Sequence, residues 1–298
     1  MMSSRQTFGR KQIVGSFHIG CLLEEKATTQ VWSGMEEGSG KGVVVKICND
    51  KESMEREVAI LTSLRGVYTP TVLESGESMN RFYFAMNEFC RTIEQFLQLN
   101  DNRQFICCNI IMILTQLFSA LEFLNKQGFM HGHIAPQHVM ISKPNGSDNN
   151  VLVKLIGIGN AQKLEIVDSK VIAVEIDIGA QDKKWCSTGT LMSETLKPVD
   201  EIHQTMYLCW LMNNVGLEEF EAPDGGFEHK LNLSLNPLKM LPRPLKWMGH
   251  LFCSLDSFDS ETVPNYAVLK KAATLCVRDF NRTQQLQLVE EEGILVLQ

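Results

Sequence analysis

Several features that identify common protein classes are missing from this sequence of 298 residues. Its nine cysteines form no CxxC pair and no Cys/His ladder, which favours buried, reduced thiols over disulfides or a cysteine metal site. The net charge of −7 provides no broad basic surface, so nucleic acid is not expected as a partner. Residues 1–11 are polar and lack the apolar run of a signal peptide. We therefore expect an intracellular protein, cytoplasmic or nuclear.

Long uninterrupted apolar runs, internal repeats and low-complexity tracts are also missing. The most apolar segment, Phe105–Leu124, contains several polar residues, and we interpret it as too polar for a membrane span. No direct membrane insertion is therefore expected. The composition, 44% apolar and 21% charged, is that of a globular protein with a substantial core.

The first hundred residues show the pattern of short strands around a single helix. Lys51–Leu64 has its apolar residues at helical spacing, with Met54, Val58, Leu61 and Leu64 on one stripe. The flanking segments are rich in β-branched and apolar residues and are separated by turn residues. The predicted strands are Phe17–Leu23, Gln30–Ser33, Gly42–Cys48, Val72–Glu77 and Phe82–Phe89.

The pattern becomes helical from Thr92 onwards. The segment 105–127 is apolar around most of its circumference, which predicts a buried helix. A turn-rich loop at 144–149 predicts a β-hairpin between Val139–Ser142 and Val151–Ile156. Residues 160–190 have no sustained period and predict a long surface segment, whereas 200–285 read as mostly helical. The fold class is therefore α+β, with a small strand-rich part before a larger helical part.

The most informative motif is the segment 131–141, which reads HGHIAPQHVMI. It resembles the catalytic loop of protein kinases, which reads roughly His-Arg-Asp-Leu-Lys-Pro-Glu-Asn and is followed by an apolar strand. His131, Pro136 and the apolar residues 139–141 keep the frame of that loop. Other segments resemble the same family in the same order: Val43–Lys46 (VVVK), Glu57 in REVAILTSL, KLIGIGNAQKL at 154–164, Asp200 and Arg282.

The chain is therefore similar to the eukaryotic protein kinase superfamily over about residues 15–285. The resemblance implies a bilobal protein kinase-like fold, with a small β-rich N-lobe at about 15–90 and a larger, mostly helical C-lobe at about 91–285. Residues 1–14 would form an N-terminal extension and 286–298 a tail whose end frays. Asp200 resembles the aspartate that the family buries behind the catalytic loop, and Arg282 resembles its late arginine.

The same resemblance implies that the reacting groups have been replaced. His133 occupies the place of the aspartate base, Ala135 that of the lysine, and His138 that of the metal-binding asparagine. Gly157 replaces the aspartate of Asp-Phe-Gly, the other metal ligand. Ser187–Gly189 falls where the family has Ala-Pro-Glu. We expect no catalytic residues and no bound metal at these positions, since neutral imidazole is a poor magnesium ligand.

The nucleotide-binding part of the family pattern is incomplete. The register puts Glu24, Lys26 and Thr29 at the three glycine positions of the phosphate loop, where side chains hinder the approach of backbone N–H groups to phosphate. Lys46 and Glu57 remain, and with Val31, Val44 and Met140 they would form what is left of a nucleotide site. The Lys46–Glu57 pair is interpreted either as a residual phosphate clamp or, preferentially, as a structural ion pair.

The resemblance implies a pseudokinase: a catalytically inactive domain that acts as a scaffold or allosteric regulator of a signalling partner, an active kinase. No cofactor is required, although weak, metal-independent ATP binding stays open. The alternative is an atypical active Ser/Thr or Tyr kinase with rerouted metal and base contacts. A zinc site at His131, His133 and His138 is less favoured, because the spacing is irregular and His131 is expected to point inward.

Overall fold

We describe the fold from a computed structural model, which covers residues 12–65, 67–87, 91–100, 104–142, 151–214, 218–255, 258–276, 286, 288–291 and 294–297. The chain divides into two compact units, Met1–Phe89 and Cys90–Gln298. Each unit has its own helices and strands.

The first unit is an antiparallel sheet with one helix. Its six strands are ordered β1-β2-β3-β4-β6-β5. The strands are β1 Ile13–Val14, β2 Phe17–Glu25, β3 Thr29–Glu36, β4 Gly42–Cys48, β5 Val72–Ser78 and β6 Arg81–Asn87. The predicted strand Gly42–Cys48 has the bounds expected from the sequence, while β3 runs further at both ends.

The alternation of residues along β4 assigns its two faces. Val43, Val45 and Ile47 are buried in an apolar cluster that includes Phe17 and Trp32. Val44 and Lys46 are only partly buried and, because successive side chains alternate, they lie on the other face. One face of this sheet is therefore core and the other carries the candidate nucleotide residues.

The helix α1 spans Lys51–Leu64, as predicted. Asp50 caps its N-terminus by accepting hydrogen bonds from the backbone N–H groups of Glu52 and Ser53. Its buried stripe includes Leu61 and, unusually, the carboxylate residue Glu57. The helix therefore brings one acidic side chain to the sheet together with its apolar face.

The second unit is mostly helical. Its helices are α2 Ile93–Leu99, α3 Cys107–Lys126, α4 Thr188–Ser193, α5 Pro198–Met212, α6 Phe227–Leu235, α7 Pro237–Met240, α8 Gly249–Leu255 and α9 Tyr266–Leu275. Its strands are β7 Arg91–Thr92, β8 Phe129–Met130, β9 Val139–Ile141, β10 Val153–Leu155, β11 Gln162–Lys163, β12 Glu165–Val167, β13 Lys170–Ile172, β14 Val174–Glu175, β15 Thr195–Leu196, β16 Leu288–Glu291 and β17 Ile294–Leu297.

The long helix α3 forms the core of this unit and packs along α5 and α9. Among the described residues it is the helix with the length and hydropathy to cross a membrane, although 61% of its most apolar window is buried inside the protein. Contrary to the expectation from the sequence, its polar residues therefore do not exclude a span by composition. The burial is that of a core helix, and the absence of membrane insertion stays a prediction.

The hairpin predicted after the motif is confirmed. β9 and β10 pair antiparallel, with Val139 opposite Leu155 and Ile141 opposite Val153, and β7 adds on the other side of β9. The segment 160–190, predicted from its lack of a sustained period to be a long surface segment, contains short strands, including an antiparallel β12–β13 hairpin. The expectation that the tail frays is wrong for Leu288–Glu291 and Ile294–Leu297, since these strands, β16 and β17, pair antiparallel.

The predicted α+β fold class is confirmed: an antiparallel β-sheet lies in the N-terminal unit, and the C-terminal unit is mostly helical. The domain limits at 15 and 285 stay a prediction. Arg282 lies outside the described residues.

Candidate functional site

Two side chains of α5 form hydrogen bonds with the backbone of the segment 131–138. The backbone N–H of Gly132 donates to Glu201 Oε1 over 2.8 Å, and that of Ile134 donates to Gln204 Oε1 over 2.7 Å. Glu201 and Gln204 are three residues apart and both are buried, so they share one helix face. The loop conformation is therefore fixed by hydrogen bonds from outside the motif.

Glu201, rather than Asp200, is the carboxylate behind the loop, and the position assigned from the sequence was wrong by one residue. Asp200 lies in the first turn of α5, where Oδ2 accepts from the backbone N–H of Lys197 over 2.7 Å and Oδ1 accepts from Ser187 Oγ over 2.5 Å. Asp200 thus caps its own helix and holds the start of α4. The next residue lies about 100° further round the helix and faces the loop.

Burial raises the pKa of the Glu201 carboxyl to about 8. The hydrogen bond from Gly132 opposes this rise, because it stabilises the carboxylate. The sequence signal that could have identified Glu201 is the spacing Glu201–Gln204 on a helix that is otherwise almost entirely apolar on its inner side.

Gly132 has a backbone conformation that suits glycine. Its φ is +91°, and a β-carbon there would lie 2.5 Å from the carbonyl oxygen of Asn160. The motif that this loop resembles has an arginine at this position, and the observed conformation leaves no room here for a side chain.

His131 is fully buried and serves the loop structurally. Burial lowers the pKa of its imidazole to about 3, so the ring is neutral at pH 7. Nε2 lies 2.9 Å from the carbonyl oxygen of Ile156, and Nδ1 accepts from the backbone N–H of His133 over 3.3 Å. In the neutral ring Nε2 is therefore the donor, and neither nitrogen is directed at a ligand.

His133 and His138, at the positions of the base and of one metal ligand, are in contact with each other. Their ring centroids are 5.0 Å apart in an edge-on arrangement. The Nδ1 of His138 lies 3.0 Å from the carbonyl oxygen of His133, to which it donates a hydrogen bond. The imidazole of His138 is therefore held in place by the backbone of the loop itself.

Gly157, at the position of the other metal ligand, lies against the same imidazole. Its φ is +77°, and a β-carbon at this position would lie 3.0 Å from Cδ2 and 3.3 Å from Nε2 of His138. The structure thus brings the two replaced metal positions together, as the resemblance requires. The histidine ring occupies the space into which a carboxylate at 157 would extend.

The remaining positions of the motif are packing positions. Ala135 is fully buried and precedes the 3₁₀ turn Pro136–His138. Met140 is partly buried in β9, where it pairs with Lys154 on one side and with Thr92 on the other.

In the first unit, Lys46 and Glu57 form the predicted ion pair. Lys46 Nζ lies 2.6 Å from Glu57 Oε2, and the ammonium also lies 5.9 Å from the ring centroid of Phe84. Glu57 is buried, whereas Lys46 keeps a fifth of its side chain exposed. The two charged groups are therefore in direct contact.

The strand register brings Val31 and Val44 to the face that carries Lys46. Val31 lies directly opposite Lys46, and Val44 is two residues before Lys46 on β4. Both valines are partly buried. These three sequence-predicted residues are thus neighbours on one sheet face.

The tight turn between β2 and β3 corresponds, in the resemblance, to the phosphate loop. It carries side chains at the positions where that loop has glycine. The backbone N–H of Lys26 donates to the carbonyl oxygen of Thr29 over 2.8 Å, and Lys26 Nζ lies 2.9 Å from Glu24 Oε1. These are the positions at which the family has glycine. Their side chains and the Glu24 carboxylate disfavour a bound triphosphate.

Two side-chain hydrogen bonds connect this hairpin to β6, which lies two strands away from β3 in the sheet. Gln30 Nε2 donates to Glu25 Oε1 over 2.7 Å, and Arg81 Nη1 donates to Gln30 Oε1 over 2.9 Å. Gln30 is buried, whereas Glu25 is exposed. The hairpin is therefore fixed to β6 and is not a free flap.

Sequence reasoning missed Lys230 on α6. This lysine is fully buried, and its Nζ donates to the carbonyl oxygens of Lys183, Lys184 and Cys186 over 3.1, 2.8 and 2.8 Å. The ammonium also lies 4.8 Å from the ring centroid of Tyr207. Burial lowers its pKa to about 8. Lys230 thus anchors the segment before Ser187–Gly189.

The side chains around the loop do not match the ligands that a magnesium nucleotide needs. In the described part of the chain, no group of three His, Cys, Asp or Glu side chains is arranged to hold a metal ion. The imidazole that replaces the asparagine is bound to a backbone carbonyl, and glycine at 157 supplies no oxygen. The loop therefore does not fit magnesium.

Comparison with known proteins places the chain near protein kinases. No family model matches it. The serine/threonine-protein kinase ATG1 of Pichia angusta is 28% identical over 174 residues, covering 48% of this chain and 21% of the relative. Human serine/threonine-protein kinase ULK1 is 26% identical over 169 residues (53% and 16%), and calcium-dependent protein kinase 4 of Plasmodium falciparum 25% over 121 residues (41% and 22%).

The chain carries a protein kinase-like domain. The matched kinases are distant, but together they support membership of the protein kinase superfamily over about half of the chain. This chain spans about a fifth of the length of each of these relatives. In the described residues, hydrogen bonds to Glu201 and Gln204 hold the loop, which has histidine at 133 and 138 and alanine at 135.

Proposed function

We propose that this kinase-like domain is catalytically inactive and acts by binding, as a scaffold or allosteric regulator of a signalling partner that is itself an active kinase. The observation that carries the proposal is the contact between His138 and Gly157. At these two positions the family supplies its metal ligands, and here an imidazole fills the space beside a glycine.

Without both metal ligands, the largest contribution to stabilising the transition state of phosphoryl transfer is missing. Phosphoryl transfer depends mainly on positioning and on neutralising the charge of the transferred group, for which Mg²⁺ is the main agent. His133 could accept a proton in principle, but its backbone and ring are engaged within the loop. A base without metal and phosphate cradle contributes little to this reaction.

The retained frame argues for a function that needs the fold. Glu201 and Gln204 hold the loop by accepting hydrogen bonds from two of its backbone N–H groups. Such a frame stabilises a surface for binding even when no chemistry takes place. A protein partner fits this interpretation better than nucleic acid does, because the net charge is −7. Action inside the cell, in cytoplasm or nucleus, is part of the proposal.

The test is nucleotide binding and phosphate transfer measured on the same preparation. Thermal unfolding is followed with ATP and with ADP, each with and without Mg²⁺, and transfer from labelled ATP to a mixed peptide substrate is assayed in parallel. We expect no stabilisation that depends on Mg²⁺ and no transfer. Transfer by the wild-type chain that disappears in Lys46→Met would overturn the proposal.

The second candidate is an atypical Ser/Thr or Tyr kinase, and the intact Lys46–Glu57 pair at 2.6 Å is the observation that favours it. In the same assay this candidate requires Mg²⁺-dependent stabilisation and transfer. A smaller stabilisation by ATP alone, equal with and without Mg²⁺ and lost in Lys46→Met, would instead mean metal-independent nucleotide binding by an inactive domain.

A further inference from the structure

The second unit contains a long stretch without any carboxylate side chain. Residues 229–255 include no Asp or Glu, although the whole chain has 35 of them. The same stretch contains Lys230, Lys239, Arg243 and Lys246, together with His229 and His250. In a chain with a net charge of −7, this stretch is a local region of opposite sign.

The exposed leucines of this stretch lie on adjoining elements. Leu231 and Leu235 are one turn apart on α6 and are 39% and 68% exposed. Leu238 follows on α7, which packs against α6, and is 50% exposed. Its side chain also covers the backbone of Gly249 at the start of α8. Three exposed leucines therefore lie on two helices that pack against each other.

The exposed cations of this stretch follow Leu238 closely in the chain. Lys239 follows Leu238 on α7, and Lys246 reaches back so that its ammonium donates to the carbonyl oxygen of Leu238. Lys239, Arg243 and Lys246 are all exposed. Lys230 does not contribute, because its ammonium is buried against the carbonyls of 183–186. The nearest carboxylate along α6 is that of Glu228, one turn before Leu231.

We propose that this basic–apolar surface, formed by Leu231, Leu235, Leu238, Lys239, Arg243 and Lys246, binds an acidic amphipathic segment of a partner protein. The inference rests on the proposed function, since it names the kind of partner that a non-catalytic domain would bind. Exposed leucines at helical spacing accept the apolar face of a partner helix, and the cations select acidic residues at its edges. Charge complementarity thus favours an acidic protein segment.

The test uses a phage-displayed library of random 16-residue peptides selected on the wild-type chain. Selected peptides are resynthesised with a fluorescent label, and their dissociation constants are measured by anisotropy. We expect net-negative peptides with apolar residues three or four positions apart. Their affinity should fall as the salt concentration rises, because exposed charge pairs are screened.

Two double variants with the same chemistry locate the binding surface. Leu235→Ala/Lys239→Glu alters the proposed surface, and we expect it to weaken the selected peptides by about tenfold or more. Lys271→Glu/Leu275→Ala makes the same changes to an exposed lysine and leucine on α9 and should leave binding unchanged. Thermal unfolding of both variants checks that each is folded.

Several outcomes would overturn the inference. These are a library that yields no binders or yields basic ones, and peptides that bind both double variants equally. Binding to phosphatidylserine vesicles that the α6–α7 variant alone loses would assign the surface to membranes. A dimer in sedimentation that the same variant dissolves would assign it to a second copy. Each result is independent of the phosphate-transfer assay, so failure of this inference is distinguishable from failure of the proposed function.

Discussion

The carboxylate of Glu201 accepts a hydrogen bond from the backbone N–H of Gly132 over 2.8 Å, deep inside the helical unit. A buried carboxyl group, largely protonated at pH 7 because its pKa is about 8, thus holds the loop that carries His133, Ala135 and His138. This contact and the His138–Gly157 contact define what the domain has kept and what it has replaced.

Removing the Glu201 acceptor should destabilise the domain strongly. Glu201→Ala leaves the buried N–H of Gly132 without its partner, and we expect a loss of about 2–3 kcal/mol in the free energy of unfolding. Glu201→Gln keeps an acceptor at the same place and should cost much less. Urea unfolding of both variants measures this, and equal losses would show that Oε1 does not hold the loop.

The stability of the wild-type chain should also depend on pH through Glu201. Its carboxyl pKa is raised from 4.5 to about 8 in the folded state, so the folded state binds more protons between these values. The Glu201 contribution is therefore fully present below pH 4.5 and is lost as the pH rises through 8. Glu201→Gln removes this dependence, so the free energy of unfolding of the variant relative to that of wild type should rise from about pH 5 to about 8.5. Gln204→Ala, which removes the other loop acceptor and titrates nothing, is the control.

The Lys46–Glu57 pair should contribute to stability by itself. Lys46→Met leaves the buried Glu57 carboxylate without its cation, and we expect a loss of about 1–3 kcal/mol because Lys46 is partly exposed. The double variant Lys46→Met/Glu57→Gln should regain much of the lost stability, because it no longer has a buried carboxylate without a cation. The double-mutant cycle in urea gives the coupling directly, expected at about 1 kcal/mol. A coupling near zero would leave the pair without a structural role.

The contact between Gly157 and His138 can be separated from backbone strain. Gly157→Ala places a β-carbon at φ +77° and 3.0 Å from the imidazole. Gly128→Ala has a φ of +79° with no atom within 4 Å, so it carries the strain alone, about 1–2 kcal/mol. We expect Gly157→Ala to lose more than Gly128→Ala, and His138→Ala to remove the excess. Equal losses would mean that the ring moves aside freely.

Lys230 should be essential to the segment before α4. Lys230→Met leaves the carbonyl oxygens of Lys183, Lys184 and Cys186 without their shared donor, at a cost of about 3 kcal/mol. Hydrogen exchange should then increase in residues 181–190 more than in α3. Lys126→Met, which removes an exposed lysine paired with Glu122, is the comparison and should leave that exchange unchanged.

Much of the strand and helix pattern could be predicted from local residues. The bounds of Gly42–Cys48 followed from its β-branched and apolar residues, and those of Lys51–Leu64 followed from the helical spacing of its apolar residues. The motif 131–141 likewise predicted a loop followed by a hairpin. The short strands of 160–190 and the terminal hairpin were missed, since their pairing depends on neighbours that local spacing does not reveal.

The sequence by itself determined which chemical groups are present at the four replaced positions. These are histidine at 133 and 138, alanine at 135 and glycine at 157. Tertiary structure alone decided what those groups contact. Whether Asp200 or Glu201 reaches the loop depends on a rotation of about 100° along α5. Whether Lys230 is solvated or buried depends on where three distant carbonyls come together. Such contacts join residues far apart in the chain, and periodicity carries no information about them.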